Sequence, residues 1–144
     1  MSSRRELIAV DVVEQLRSAD SPRFGLATRE NFDYTQLSRQ QFPAIWVSTS
    51  DEQRQDLTQR GKSGLREGRL QLTLVGYVSG HDVDSLRNDL IERVEEVLDD
   101  DRTRDGRAYS TQLIEITVDA ATPEPYGRVE MLVEVVYTYQ RGQA

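Results

Sequence analysis

Apolar residues recur along this chain with two periods, and the changes between them divide it into elements. From about Arg4 to Ser18, Ile8, Val12 and Leu16 follow four-residue spacing with Ala9 and Val13 beside them, which gives a helix one apolar face. Ser3 and Glu6 stand at the spacing of a capping box at its start. Asp20-Ser21-Pro22 ends the helix, and the segment to Phe42 carries the isolated aromatics Phe24, Phe32 and Tyr34 without a sustained period. It reads as a long surface-hugging connection with room for one short strand. After Pro43, the run from Ala44 to Thr49 is β-branched and aromatic enough to form a strand.

From Arg69 the period becomes two: Leu70, Leu72, Leu74, Gly76 and Val78 point one way, and Gln71, Thr73, Val75 and Tyr77 the other. After Gly80, Asp82 can cap a second helix whose Val83, Leu86, Leu90, Val94 and Val97 keep three- and four-residue spacing. The charged turn from Asp99 to Arg107 leads into two more alternating strands. Ile114, Ile116 and Val118 share a face of the first, and Val129, Met131, Val133, Val135, Tyr137 and Tyr139 a face of the second. Ala120 to Arg128, with Pro123, Pro125 and Gly127, joins them as an antiparallel hairpin with a broad turn. This order predicts one α+β domain over residues 1–144: a four-stranded, mostly antiparallel sheet with both helices packed on one face.

Asp51 to Gly68 breaks the pattern. It has only Leu57 and Leu65 to bury and holds Gly61, Gly64 and Gly68, so its apolar surface is too small to offset the entropy of ordering. A long projecting loop or arm is expected, mobile in the free subunit and ordered by a partner. Arg54, Arg60, Lys62 and Arg66 alternate there with Asp51, Glu52, Asp56 and Glu67, and such pairs gain worth when an interface partly desolvates them. Tyr126, Tyr137 and Tyr139 suit either the sheet's own core or an interface, with Tyr139, near the strand end, the better interface member. The candidate interface residues are therefore Arg54, Arg60, Lys62, Arg66, Glu67, Tyr126 and Tyr139.

Length and charge narrow the class. At 144 residues the chain has one domain's length, and without cysteine it has no thiol chemistry, zinc–cysteine site or disulfide. No apolar run approaches the roughly 20 residues of a membrane span, and Met1-Ser2-Ser3-Arg4-Arg5 leads into an amphipathic stretch, so a soluble protein made in the cytoplasm is expected. A formal charge of −7 argues against wrapping nucleic acid, whose affinity comes largely from neutralised phosphates. Lys62 is the single lysine among 18 basic residues; the arginine excess suits a mixed solvated surface and equally suits ion pairs at subunit contacts.

The candidate chemistry is thin. Gly61-Lys62-Ser63 ends like a phosphate-binding loop, but the required earlier glycine is Asp56, whose charge repels phosphate. Asp101-x-Thr103-x-Asp105-Gly106 resembles half a calcium loop, yet its twelfth position is Gln112 and arginines interrupt it. Asp99-Asp100-Asp101 could hold magnesium, although three acids at a helix end more often mark an exposed terminus that opposes the dipole. His81 is the one histidine and sits beside Asp82 and Asp84, which excludes a multi-histidine metal site and fits a capping or exposed imidazole. No catalytic residue, metal or cofactor is expected.

Gln112-Leu113-Ile114-Glu115-Ile116, then Pro123-Glu124-Pro125-Tyr126-Gly127, then Glu130 to Tyr139 resemble the ending of tailed-bacteriophage tail terminator proteins, also called tail completion or head-to-tail joining proteins. Leu72-Thr73-Leu74-Val75-Gly76-Tyr77-Val78 followed by an amphipathic helix is similar to the same family. The resemblance covers nearly the whole chain and is strongest from Pro43 onward. It implies a non-enzymatic virion protein at the tail–neck junction, assembled in the host cytoplasm. Such a protein forms a hexameric ring that ends tube polymerisation and meets tail-tube and neck or connector proteins, with sheath as a further partner in a contractile tail. It also implies a long loop or hairpin after the first core strand, where Asp51 to Gly68 lies. Independently, size scaling gives a radius of gyration of roughly 15 Å, and six equivalent spheres in a ring leave a bore of roughly 35 Å. Duplex DNA would pass through without binding, and an acidic lining would keep it from sticking. The competing expectation is another neck component or a non-viral adaptor domain that uses residues 51–68 as its partner arm; solution mass separates the two.

Overall fold

The computed structural model of the chain describes residues 3–19, 23–58 and 64–140. Helix α1 (Arg4–Ser18) begins at the expected cap, where the Glu6 amide donates to Ser3 Oγ at 3.2 Å. The reciprocal half of the capping box is not made, because the Glu6 carboxylate pairs with Arg29 instead. Helix α2 (Val83–Asp99) is capped by Asp82, whose carboxylate accepts from the Ser85 amide at 3.4 Å.

The sheet has five strands and is mixed, which corrects the expected count of four. Its strands are β1 (Leu26–Thr28), β2 (Ala44–Asp56), β3 (Leu65–Ser79), β4 (Ser110–Asp119) and β5 (Tyr126–Gln140), in the order β1-β2-β3-β5-β4. β1 runs parallel to β2 and the other pairs are antiparallel. Three residues cannot display a period, so β1 is invisible to pattern. It is held by close approach: the Gly25 amide donates to the Pro43 carbonyl at 2.9 Å, and a β-carbon on Gly25 would lie 2.3 Å from the Gln41 carbonyl carbon.

Register explains the single core. Leu70 pairs with Val135, Leu72 with Val133 and Leu74 with Met131, so both apolar rows share one face, joined by Ile45 and Val47 from β2. α1 and α2 cover that face together, burying Ile8, Val12, Leu16, Leu90 and Val94 against it. Each fully buried aliphatic side chain contributes about 1.5–3 kcal/mol relative to exposure.

Asp51–Asp56 and Leu65–Gly68 are strand rather than loop. β2 continues to Asp56 and β3 begins at Leu65, paired from Glu52 with Leu70 to Asp56 with Arg66, and β3 stays paired with β5 as far as Gln140. The arm is a three-stranded extension of the sheet. Counting apolar residues missed it because its order comes from two backbone ladders and cross-strand polar pairs. Arg66 Nε lies 2.9 Å from Asp56, Gln55 donates to Glu67 at 3.1 Å, and Arg69 donates to Glu134 at 3.4 Å. Gly68 has a specific task here: a β-carbon would fall 2.7 Å from the Tyr137 ring, which lies across it. Residues 59–63, with Arg60 and Lys62, lie outside the described residues.

β4 also departs from strict alternation. A bulge between Leu113 and Glu115 puts Leu113 opposite Val133, Ile116 opposite Met131 and Val118 opposite Val129. Leu113, rather than Ile114, therefore packs on the core.

The charged turn before β4 is anchored by Arg104, which is wholly buried and has a φ of +51°. Its guanidinium donates to Gln15 and, at 2.9 Å, to the Leu98 carbonyl, and it lies 3.4 Å from Asp11. One side chain thus ties α1, the end of α2 and the approach to β4. Burial pushes the Asp11 carboxyl up, and the Arg104 charge only partly offsets this. Arg104→Met should cost about 3 kcal/mol in denaturant unfolding, because it leaves Asp11 without its partner. Adding Asp11→Leu should restore part of that loss.

Candidate functional site

Two features stand out: a charged clamp at the base of the arm and the sheet's open edges. The clamp begins with the β2 bulge between Thr49 and Glu52, which turns Glu52 onto the helix-covered face opposite Leu70. There its side chain is only 3% exposed. The Tyr137 hydroxyl lies 3.0 and 3.1 Å from the two Glu52 oxygens and donates to the carboxylate. Arg54 pairs with the same carboxylate and donates to the Tyr137 oxygen at 3.3 Å, while Arg5 of α1 approaches to 3.8 Å. Arg54 also lies 5.2 Å above the Tyr139 ring, which packs 5.6 Å from Tyr137.

This arrangement holds protons rather than moving them. Burial, reinforced by the Glu52 charge, pushes the Tyr137 phenol up from 10.0 to about 12. The hydrogen bond to Glu52 holds Arg54 above its ordinary range. The carboxylate is engaged by a phenol and two guanidinium groups, so the clamp fastens the arm to α1 and β5.

Of the residues singled out from sequence, Arg54 and Tyr139 meet in this clamp, and Arg66 shares their face opposite Tyr139. Glu67 points to the other face, where it accepts from Gln55 and Arg69. Tyr126 lies at the opposite end of β5 in an aromatic cluster with Tyr34 and Phe42, at 5.2 and 5.9 Å. Arg60 and Lys62 lie outside the described residues. Sequence reasoning missed Glu52 as the centre of the cluster, along with Arg5 and Tyr137. Period-two spacing of Glu52 and Arg54 was the available signal, but a bulge decides which face they reach.

The other sequence motifs resolve into structure. The Asp101 carboxylate accepts from the Asp105 amide at 2.8 Å and from the Thr103 amide and hydroxyl at 3.1 and 2.9 Å, which closes the turn. Burial opposes its charge, yet these bonds prevail and hold the carboxyl below its usual range. His81 is exposed ahead of α2. Among the described residues, no group of three or more histidines and carboxylates is placed to hold a metal ion. No described helix is long and apolar enough to cross a membrane. A depression of about 220 Å³ against Phe42, Leu86 and Leu90, and one of about 340 Å³ between α1 and β1, lie near the low end of small-molecule pockets.

The edges are less settled than the clamp. β1 covers only Ala44–Trp46 of β2, and among the described residues no other strand pairs with the outer side of β2, where the Ser50 carbonyl accepts from Arg5 at 3.1 Å. β4 is the opposite edge, and Ile114, Ile116 and Val118 on it are 45%, 46% and 47% exposed. Exposed aliphatic residues on an unpaired strand invite another strand. Glu95 and Asp99 of α2 flank this edge beside Gln112 and Leu113.

Tyr137→Phe should lower stability by about 1.5–3 kcal/mol through loss of a hydrogen bond to a charged group. The same residue sets an alkaline limit. The folded chain keeps a proton that the unfolded chain loses above pH 10, so stability is full below pH 10 and falls as pH rises toward about 12. Urea unfolding across that window should show the fall, and Tyr137→Phe should flatten it.

Comparison with protein-family models finds no match for this chain, and comparison with curated proteins finds none either.

Proposed function

We propose that this chain is a structural assembly protein rather than an enzyme, and that its copies close into a ring. The ring caps a tail tube, ends its growth and joins it to the neck, the role that the resemblance to tail terminator proteins implies. The observation that supports this best is the row Ile114, Ile116 and Val118 on the unpaired edge of β4, each nearly half exposed. A long apolar edge is a liability in a monomer, and pairing it with another subunit removes the liability. A head-to-tail contact that repeats closes into a ring when its rotation allows, and six copies of this size leave room for DNA. The corresponding location is the virion's tail–neck junction, with tail-tube and neck proteins as partners and DNA only passing through the lumen.

Native mass measurement tests the reading. Six copies, or assembly that grows with concentration or on adding tail tubes, is the expected result. Ile116→Lys should abolish assembly while leaving the thermal midpoint within a few degrees, because the side chain is already exposed. A wild-type chain that stays monomeric at every concentration reached, with and without tail tubes, overturns the reading.

A further inference from the structure

We propose that β4 of one copy adds, antiparallel, to the outer side of β2 from Ser48 to Gln53 in a second copy, so that the sheet runs on from subunit to subunit. This rests on the ring reading and names its contact.

Strand length and direction fit first. β4 spans 10 residues, and the stretch of β2 beyond β1 also spans 10. Within the sheet β2 and β5 run one way and β3 and β4 the other, so a second copy in the same orientation presents its β2 antiparallel to β4. Neither stretch contains a proline, which would remove a donor from the ladder.

Register fits next, and more narrowly. Each strand carries one extra residue near its middle, in β2 between Thr49 and Glu52 and in β4 between Leu113 and Glu115. Setting bulge against bulge pairs Ile116 with Thr49, Leu113 with Glu52 and Gln112 with Gln53, and the wholly buried Val47 and Thr111 bound the contact at its two ends. Each of these pairs then lies on a common face, since the first two belong to the helix-covered face of each sheet and the glutamines to the other. A two-residue slip loses this match between the bulges. Beyond Val47 the position opposite β2 is taken by β1, which stops the ladder there.

Charge selects this contact over its symmetric alternative. Between Asp82 and Asp119 twelve acidic side chains stand against five basic, so this stretch carries −7, the charge of the whole chain, and the rest is balanced. Two β4 edges meeting would set these charges against each other. On the β2 side, Arg5 and Arg54 are paired with Glu52 and Arg29 with Glu6, so that flank is close to neutral rather than acidic, and the three arginines keep 35%, 35% and 32% of their side chains exposed. Glu95 and Asp99, beside Gln112 and Leu113, come up to that arginine side.

The cysteine-free chain allows a direct test. Gln53→Cys and Gln112→Cys in one chain cannot join within a subunit, because β3 and β5 separate their strands by roughly 14 Å at the usual strand spacing. Mild oxidation of the assembled double variant should give a ladder of disulfide-linked multimers. The out-of-register pair Gln55→Cys with Thr117→Cys should give none. A covalent dimer from Gln112→Cys alone means β4 meets β4 and overturns the proposal. Assembly by mass without the ladder also overturns it, yet leaves the ring reading standing; no assembly removes both. Hydrogen exchange on the unaltered chain checks independently of the variants: amides in 48–53 and 112–117 should gain protection on assembly, and unchanged exchange there overturns the proposal.

Discussion

Fifteen consecutive residue pairs between β3 and β5 govern the rest of this molecule. Their alternation puts two apolar rows on one face, and that face is what α1 and α2 bury. Their length exceeds what the helices cover, so the sheet runs on beyond the helices as an arm. Because β3 and β5 occupy the centre, β2 and β4 become the flanks, and each inherits one side with no partner or only a short one. The clamp, the arm and both open edges follow from this one long pairing.

The two bulges are where the pattern is redirected for a purpose. In β2 the extra residue brings Glu52 to the face of Tyr137, where a buried carboxylate gains a phenol and two guanidinium groups. In β4 it keeps Leu113 in the core and leaves Ile114 exposed. A buried carboxylate is costly unless paired, so the clamp stabilises the arm only while all its members are present. The same logic applies to Arg104, whose desolvation is offset by Asp11, Gln15 and the Leu98 carbonyl. Both clusters hold elements in place.

Charge is distributed as unevenly as exposure. The acids crowd onto α2, its following turn and β4, while the arm carries interleaved charges paired across strands. An acidic edge that also exposes aliphatic residues repels its own copy and accepts a neutral or basic strand. That combination confers direction on any assembly the edge takes part in.

Local order was written in the chain. The apolar spacing of α1 and α2, their caps at Ser3 and Asp82, and the alternating rows of β3 and β5 were all legible, because each depends on neighbours within a few residues. The sharing of one face by both helices also followed, since each element has a single apolar side to bury. Tertiary structure alone decided the rest. β1 exists because Gly25 and the Pro43 carbonyl bring three residues beside β2. The arm is ordered because β5 reaches as far as Gln140, which composition between Asp51 and Gly68 could not reveal. The candidate site behaves likewise: Arg54 and Tyr139 were visible as residue types, but Glu52 and Arg5 join them only through a bulge and a helix forty-odd residues away. Whether Ile114, Ile116 and Val118 face a core or open solvent depends on β4 being last in the sheet. Strand order is a long-range property, fixed by which pairings bury the most surface together rather than by any local period.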